Sequence, residues 1–122
     1  MTAAVPPGWP SEVPPPDSPD WSSRACAYLL DRCPPEYRTE PVYLRHPQVL
    51  AWLARRQAQA RLDAARAAYG SVRRELGEAV PPAVVADTLA ALEREGARLI
   101  AEQRAVSLVV DAVLGTRYVP RL

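Results

Sequence analysis

Apolar residues recur at three- and four-residue intervals through most of the chain, the period of helices that each bury one face. In the first such run Trp21, Ala25, Tyr28, Leu29 and Cys33 share a face. Ser18 is placed to cap it, Pro19 suits the first helical position and Asp20 complements the positive end of the dipole. Pro34-Pro35 closes it, since neither proline can continue the hydrogen-bond ladder, so the pattern predicts a helix over 19–33. A second run, Leu50, Ala54, Ala58, Leu62, Ala65, Tyr69, Val72 and Leu76, opens at His46-Pro47 and closes at Gly77, predicting a helix over 47–76. Gly70 lies inside it at a cost of about 1 kcal/mol relative to Ala, which marks a kink or a close approach. Between these helices PVYL reads as a short extended piece, with Pro41 excluding a paired central strand.

The third run carries the most regular pattern. Starting after Pro81-Pro82, Val85, Leu92, Leu99, Val106 and Val113 recur every seven residues, with Leu89, Gly96, Gln103 and Val110 between them. This is a coiled-coil seam over four heptads, and it predicts a helix over 82–114 that stops at Gly115. The polar Gln103 is expected to fix register. Two helices of about 30 residues, each ~45 Å long and joined by a short proline-containing turn, form an antiparallel hairpin. Charge agrees with that pairing: positions 48–80 carry six Arg against three acids, and positions 81–115 five acids against three Arg.

The fold class is therefore all-α, a short N-terminal helix plus a long two-helix hairpin. Its expected core includes Trp21, Leu29, Leu50, Leu53, Leu62, Tyr69, Leu89, Leu92, Leu99, Val106 and Val110. Towards its end the third helix broadens its apolar stripe to Leu99, Ile100, Val106, Val109, Val110, Val113 and Leu114, wider than a two-helix seam uses. Either the first helix and the proline-rich segments cover it, or a second copy does. A homodimer completing a four-helix bundle through the seam Val85, Leu89, Leu92, Gly96, Leu99, Gln103, Val106, Val110 and Val113 satisfies that surface.

Prolines punctuate the chain unevenly. Seven of the fourteen fall within the first nineteen residues, so residues 1–17 form an extended or disordered arm ahead of one helical domain over 18–122. Trp9 is the arm's one large anchor and is expected to lay it on its own domain, although VPPPDSP also has the composition of a ligand for a partner's groove. The tail, 116–122, reads as extended, with Tyr118 and Val119 available to dock.

Composition narrows the function classes. The length of 122 residues suits one domain, and fifteen Arg against fourteen acids leaves a net charge of +1, with no global field for a polyanion. The chain has no Lys, Asn or Phe and a single Ile, as a high-GC genome produces, so the arginines are weak support for nucleic-acid binding. The exposed side of the second helix still groups Arg55, Arg56, Arg66, Arg73 and Arg74 as a basic face suited to phosphate, or paired to acids of the third helix. No apolar run approaches the ~20 residues of a membrane span, and the N-terminus has neither the charge nor the apolar core of a signal peptide, so the expected location is the cytoplasm. There Cys26 and Cys33 are reduced thiols, about 10 Å apart along the helix axis and too distant for a mutual disulfide.

Chemistry is sparse. The phosphate-loop, dinucleotide and nucleophile-elbow motifs are absent from the sequence. His46 is explained by helix entry, and Glu93, Glu95, Glu102 and Asp111 read as a solvated acidic face without the Glu-x-x-His motifs of a bundle metal site. No cofactor, metal or catalytic residue is assigned.

PPGWP, PDW, CPPEYR, RHP and the terminal RYVPRL together resemble a family of small helical proteins from high-GC actinobacteria. That resemblance spans the chain; it implies a bacterial cytoplasmic setting and brings no activity, ligand or catalytic residue. The function expected is a non-enzymatic helical interaction or scaffold protein that self-associates and docks a protein partner. A nucleic-acid-associated regulator using the arginine face is the alternative, and a small enzyme at the dimer seam the third.

Overall fold

A computed structural model describes residues 4–121; residues 1–3 of the arm and Leu122 of the tail lie outside the described residues. The described chain is helical, with α1 over Trp21–Asp31, α2 over Pro41–Arg45, α3 over Pro47–Leu76 and α4 over Pro82–Val113, and a 3-10 turn over Pro35–Thr39. The long hairpin of α3 and α4 is the frame, and α1 lies across both of its helices at the open end.

Prolines set the boundaries. Pro41, Pro47 and Pro82 each open a helix, where the missing N–H has no partner to lose. The expected extended piece at PVYL is instead α2, because Pro41 sits at a first helical turn and not in a strand. Only His46 separates α2 from α3, held at φ −123° by the ring of Pro47 after it. At the first helix the expected start was two residues early. Ser18 makes no side-chain cap; its carbonyl accepts from the N–H of Trp21 at 3.1 Å, and Asp20 occupies the cap position. The helix ends at Asp31, and Arg32 and Cys33 close a tighter turn on the carbonyls of Leu29 and Leu30.

Two glycines end the long helices differently. Gly115, at φ +102°, completes a left-handed cap in which its own N–H bonds Ala112 O at 3.1 Å and that of Thr116 bonds Asp111 O at 2.8 Å. Gly77 stays right-handed, and a side chain there would collide with the carbonyl of Arg73. Gly70 faces open space within the continuous α3, so among the described residues no close approach accounts for it.

The core is uneven along the hairpin. At the open end Leu29, Leu50, Val106, Val109 and Val110 are fully buried, and Ala51, Ala54 and Ala58 let the helices approach. The arm completes this core. It lies on the helical domain in successive turns, with Val13 only 2% exposed and the indole Nε1–H of Trp9 donating to Val13 O at 2.7 Å. Most of the broad stripe on α4 is thereby internal, while Ile100 and Leu114 remain exposed. Towards the closed end the second buried cluster holds only Leu62, Ala65 and Leu99.

Ion pairs cross the helices in the predicted sense. Arg61 of α3 pairs with Glu102 of α4 at 3.1 Å, and Arg55 pairs with Asp111. Arg32, just past α1, joins Glu12 of the arm at 3.1 Å and Glu102 at 3.5 Å, with its guanidinium 3.6 Å from the centre of the Tyr28 ring. No helix among the described residues is long and apolar enough to cross a membrane.

Candidate interaction surfaces

The heptad seam of α4 is turned towards α3 of the same chain. Leu89, Leu99, Val106 and Val110 are buried within a single copy, while Val85, Leu92, Gly96, Gln103 and Val113 are half-buried. Part of the seam expected to join two copies is thus buried inside one hairpin. Gln103, expected to fix register, donates to Ser107 Oγ of its own helix at 3.2 Å.

Beside the seam, one broad face of the hairpin changes character along its length. Near the open end it is polar: Arg55, Gln59 and Asp63 of α3 and Gln103 of α4 line a shallow groove. Further along, the floor becomes apolar, with a groove of about 380 Å³ over Leu62, Ala65, Leu92, Gly96 and Ile100, edged by Arg66 and Tyr69 on α3 and Glu93 on α4. The groove continues to the tip between Arg73 and Gly77 on one side and Val85 and Leu89 on the other. Helical spacing makes these one surface, since Arg73 follows Arg66, and Leu92 follows Val85, by seven residues.

Tyr69 was expected in the core and is 41% exposed. Its heptad position repeats that of Leu62, but it lines an open groove with Leu92, Glu93, Gly96 and Ile100 of α4 that leaves its ring uncovered. The ring stands on the groove wall and its hydroxyl donates to Glu93 Oε1 at 2.9 Å, a bond that raises the phenol pKa above its ordinary 10.0. Gly96 faces open space, with nothing of its own chain near the position a Cβ would take. The missing cover was readable in the sequence as the glycine interrupting the heptads of α4. Nothing in the local pattern revealed that the arm's Val13 fills the opposite end.

The basic face does not form one free surface. Arg55 is half-buried against Asp111, Arg56 lies 5.1 Å from the Trp52 ring, Arg66 and Arg73 edge the apolar groove, and Arg74 donates to Ser71 Oγ. Trp52 is 57% exposed, and α2 presents Val42 and Leu44 to solvent, so apolar surface is also available near the open end.

A second concavity, about 490 Å³, lies between the arm, α4 and the tail, with Trp9, Leu108 and Tyr118 on its walls. Arg117 ties the tail down through Ala112 O at 2.8 Å and Asp17 at 3.4 Å, whereas Val119 is 79% exposed. Cys26 and Cys33 are unpaired thiols, and burial raises both pKa values above the ordinary 9.0. That shift favours the unreactive thiol over the thiolate. Among the described residues no group of three or more His, Cys, Asp or Glu is placed to hold a metal. Comparison of the chain with family models, with curated proteins and with solved structures finds no match.

Proposed function

We propose that this chain is a non-enzymatic helical interaction protein that associates with itself through the tip half of its hairpin, completing a four-helix bundle on which a protein partner docks. One observation carries the reading: the groove over Leu92, Gly96 and Ile100 is apolar, open, and backed by a buried cluster of only three residues. At the tip, two helices alone leave Tyr69 and Ile100 exposed beside this groove, and a second pair of helices covers such a face. The two unpaired thiols support a reducing, cytoplasmic setting. The test is the mass in solution, by light scattering on a sizing column at low and high salt. The expected value is about twice the 13.4 kDa chain at both salts, because the contact is chiefly apolar. A single-chain mass at every concentration overturns the proposal.

A further inference from the structure

Resting on that self-association, we infer that two copies join with their hairpin tips side by side, so that α3 of each lies on α4 of the other and Glu93 meets the arginines Arg66 and Arg73 across the interface. The groove has a polarity across its width. Its α3 edge carries Arg66 and Arg73, and its α4 edge carries Glu93.

A two-fold axis that brings this face onto itself lies in the plane of the contact, and two directions preserve the bundle. An axis across the hairpin stacks α3 on α3 and sets arginine edge against arginine edge. An axis along the hairpin stacks α3 on α4 and sets basic edge against acidic edge, and every helix then has antiparallel neighbours. Charge complementarity selects the second. The register follows from the bond within each chain. Tyr69 Oη donates to Glu93 Oε1, which puts Glu93 level with Tyr69, and Arg66 and Arg73 stand about one turn to either side of that level. The partner's Glu93, arriving over α3, therefore falls between two guanidinium groups, and by symmetry the arrangement occurs twice.

Gly96 gives the same answer from packing. A glycine inside a helix lowers helix stability, and within one chain nothing approaches the place its side chain would occupy. Over the groove floor it leaves room for a second helix to come close. The tip half of the face, about 23 Å long and two helices wide, presents on the order of 450 Å², and the other half has to join it for the contact to approach the ~800 Å² per partner of a standard interface. The apolar half supplies its centre and the Arg55–Gln103 half a wet rim.

The experiment measures the dimer dissociation constant by sedimentation over a concentration series for the full chain and for Arg66→Glu, Glu93→Arg, the double variant Arg66→Glu/Glu93→Arg, and Gly96→Leu. Circular dichroism checks that helix content is kept. Each single charge reversal is expected to weaken the dimer about tenfold, because the lost pair and the new repulsion both occur twice. The double variant is expected to recover to within about threefold of the parent. Gly96→Leu is expected to weaken association with helix content unchanged, which a purely local role of Gly96 would not do. Weakening by both single variants without recovery in the double overturns the crosswise pairing. A parent dimer whose constant none of these changes moves overturns the interface and leaves self-association standing. A parent that stays single overturns both.

Discussion

Arg32 shows how few polar contacts hold this chain's parts in place. It follows α1 directly, stacks on Tyr28, and reaches Glu12 of the arm and Glu102 of α4, so one side chain ties three segments. Only 23% of that side chain is exposed, so its pairs are screened less than surface pairs. Arg32→Ala is expected to cost about 1–2 kcal/mol in chemical denaturation, while Arg56→Ala, at an exposed arginine beside the exposed Trp52, stays within about 0.5 kcal/mol. The ionisable groups supply a second prediction. Burial raises the pKa of Cys26, Cys33 and Tyr28, with Arg32 opposing the rise at Tyr28, so the folded state favours their neutral forms. A raised folded value contributes stability that is complete below the unfolded value and is lost as pH climbs through the folded one. The melting temperature should therefore hold steady around neutrality and fall above about pH 9, where the cysteines of the unfolded chain ionise. Cys33 should react with a thiol reagent at neutral pH far more slowly in the native protein than in denaturant; equal rates would mean that the end of α1 does not pack as described.

Among the elements, the arm has the largest structural effect for its size. Val13 is 2% exposed in a core otherwise built by three helices, and the Trp9 indole holds the turn that presents it. Val13→Ala removes two buried methyl groups and is expected to cost about 1.5 kcal/mol, and removing residues 1–17 should cost several times more, read as urea midpoints. The glycines separate by conformation. Gly70→Ala should stabilise by about 0.5–1 kcal/mol because its site is open and helical, whereas Gly115→Ala should destabilise by about 1 kcal/mol because of its φ of +102°. These contrasts indicate how much of the fold could be read from residues alone. The bounds of α3, and those of α4 to within one residue, followed from Pro47, Leu76, Pro82 and the heptads, because long periodic runs with proline starts have few alternatives. The start of α1 was misplaced because Ser18 and Asp20 are both competent caps and the turn closed by Ser18 O decides between them. At Pro41 one proline suits an edge strand and a helix start equally, and the short helix it opens lies against both α3 and the preceding 3-10 turn. The candidate surface was half legible. Its Gly96 and Arg66 could be named in advance, but the exposure of Tyr69 depends on which α4 residue stands beside it, a property of the pair and not of either helix.

Across the whole molecule, burial declines from the open end of the hairpin to its tip, and local stability should decline with it. At the open end α1, the arm and both long helices share one core, and Val106, Val109 and Val110 are 0% exposed. A charge there has no solvated alternative, so Val106→Asp is expected to abolish cooperative unfolding altogether. Nearer the tip the hairpin relies on Leu62, Ala65 and Leu99, then on Val72 and Leu89, with Leu76, Val84 and Ile100 left in water. A pair of helices held by so little core opens locally at a small fraction of the global free energy. Amide hydrogen exchange can map this. In dilute protein, amides around Leu76 and Val84 should exchange fastest within the hairpin, those around Gly96 at intermediate rates, and those around Leu50 and Val110 only by global unfolding. If the tip face is where two copies meet, raising the concentration through the dissociation constant must slow the tip amides most, by suppressing their local opening, while the open-end amides slow only by as much as dimerisation raises the global stability. Uniform protection along the hairpin at low concentration would show that the two-helix tip is stable alone, and its apolar groove would then lose its energetic reason to be filled.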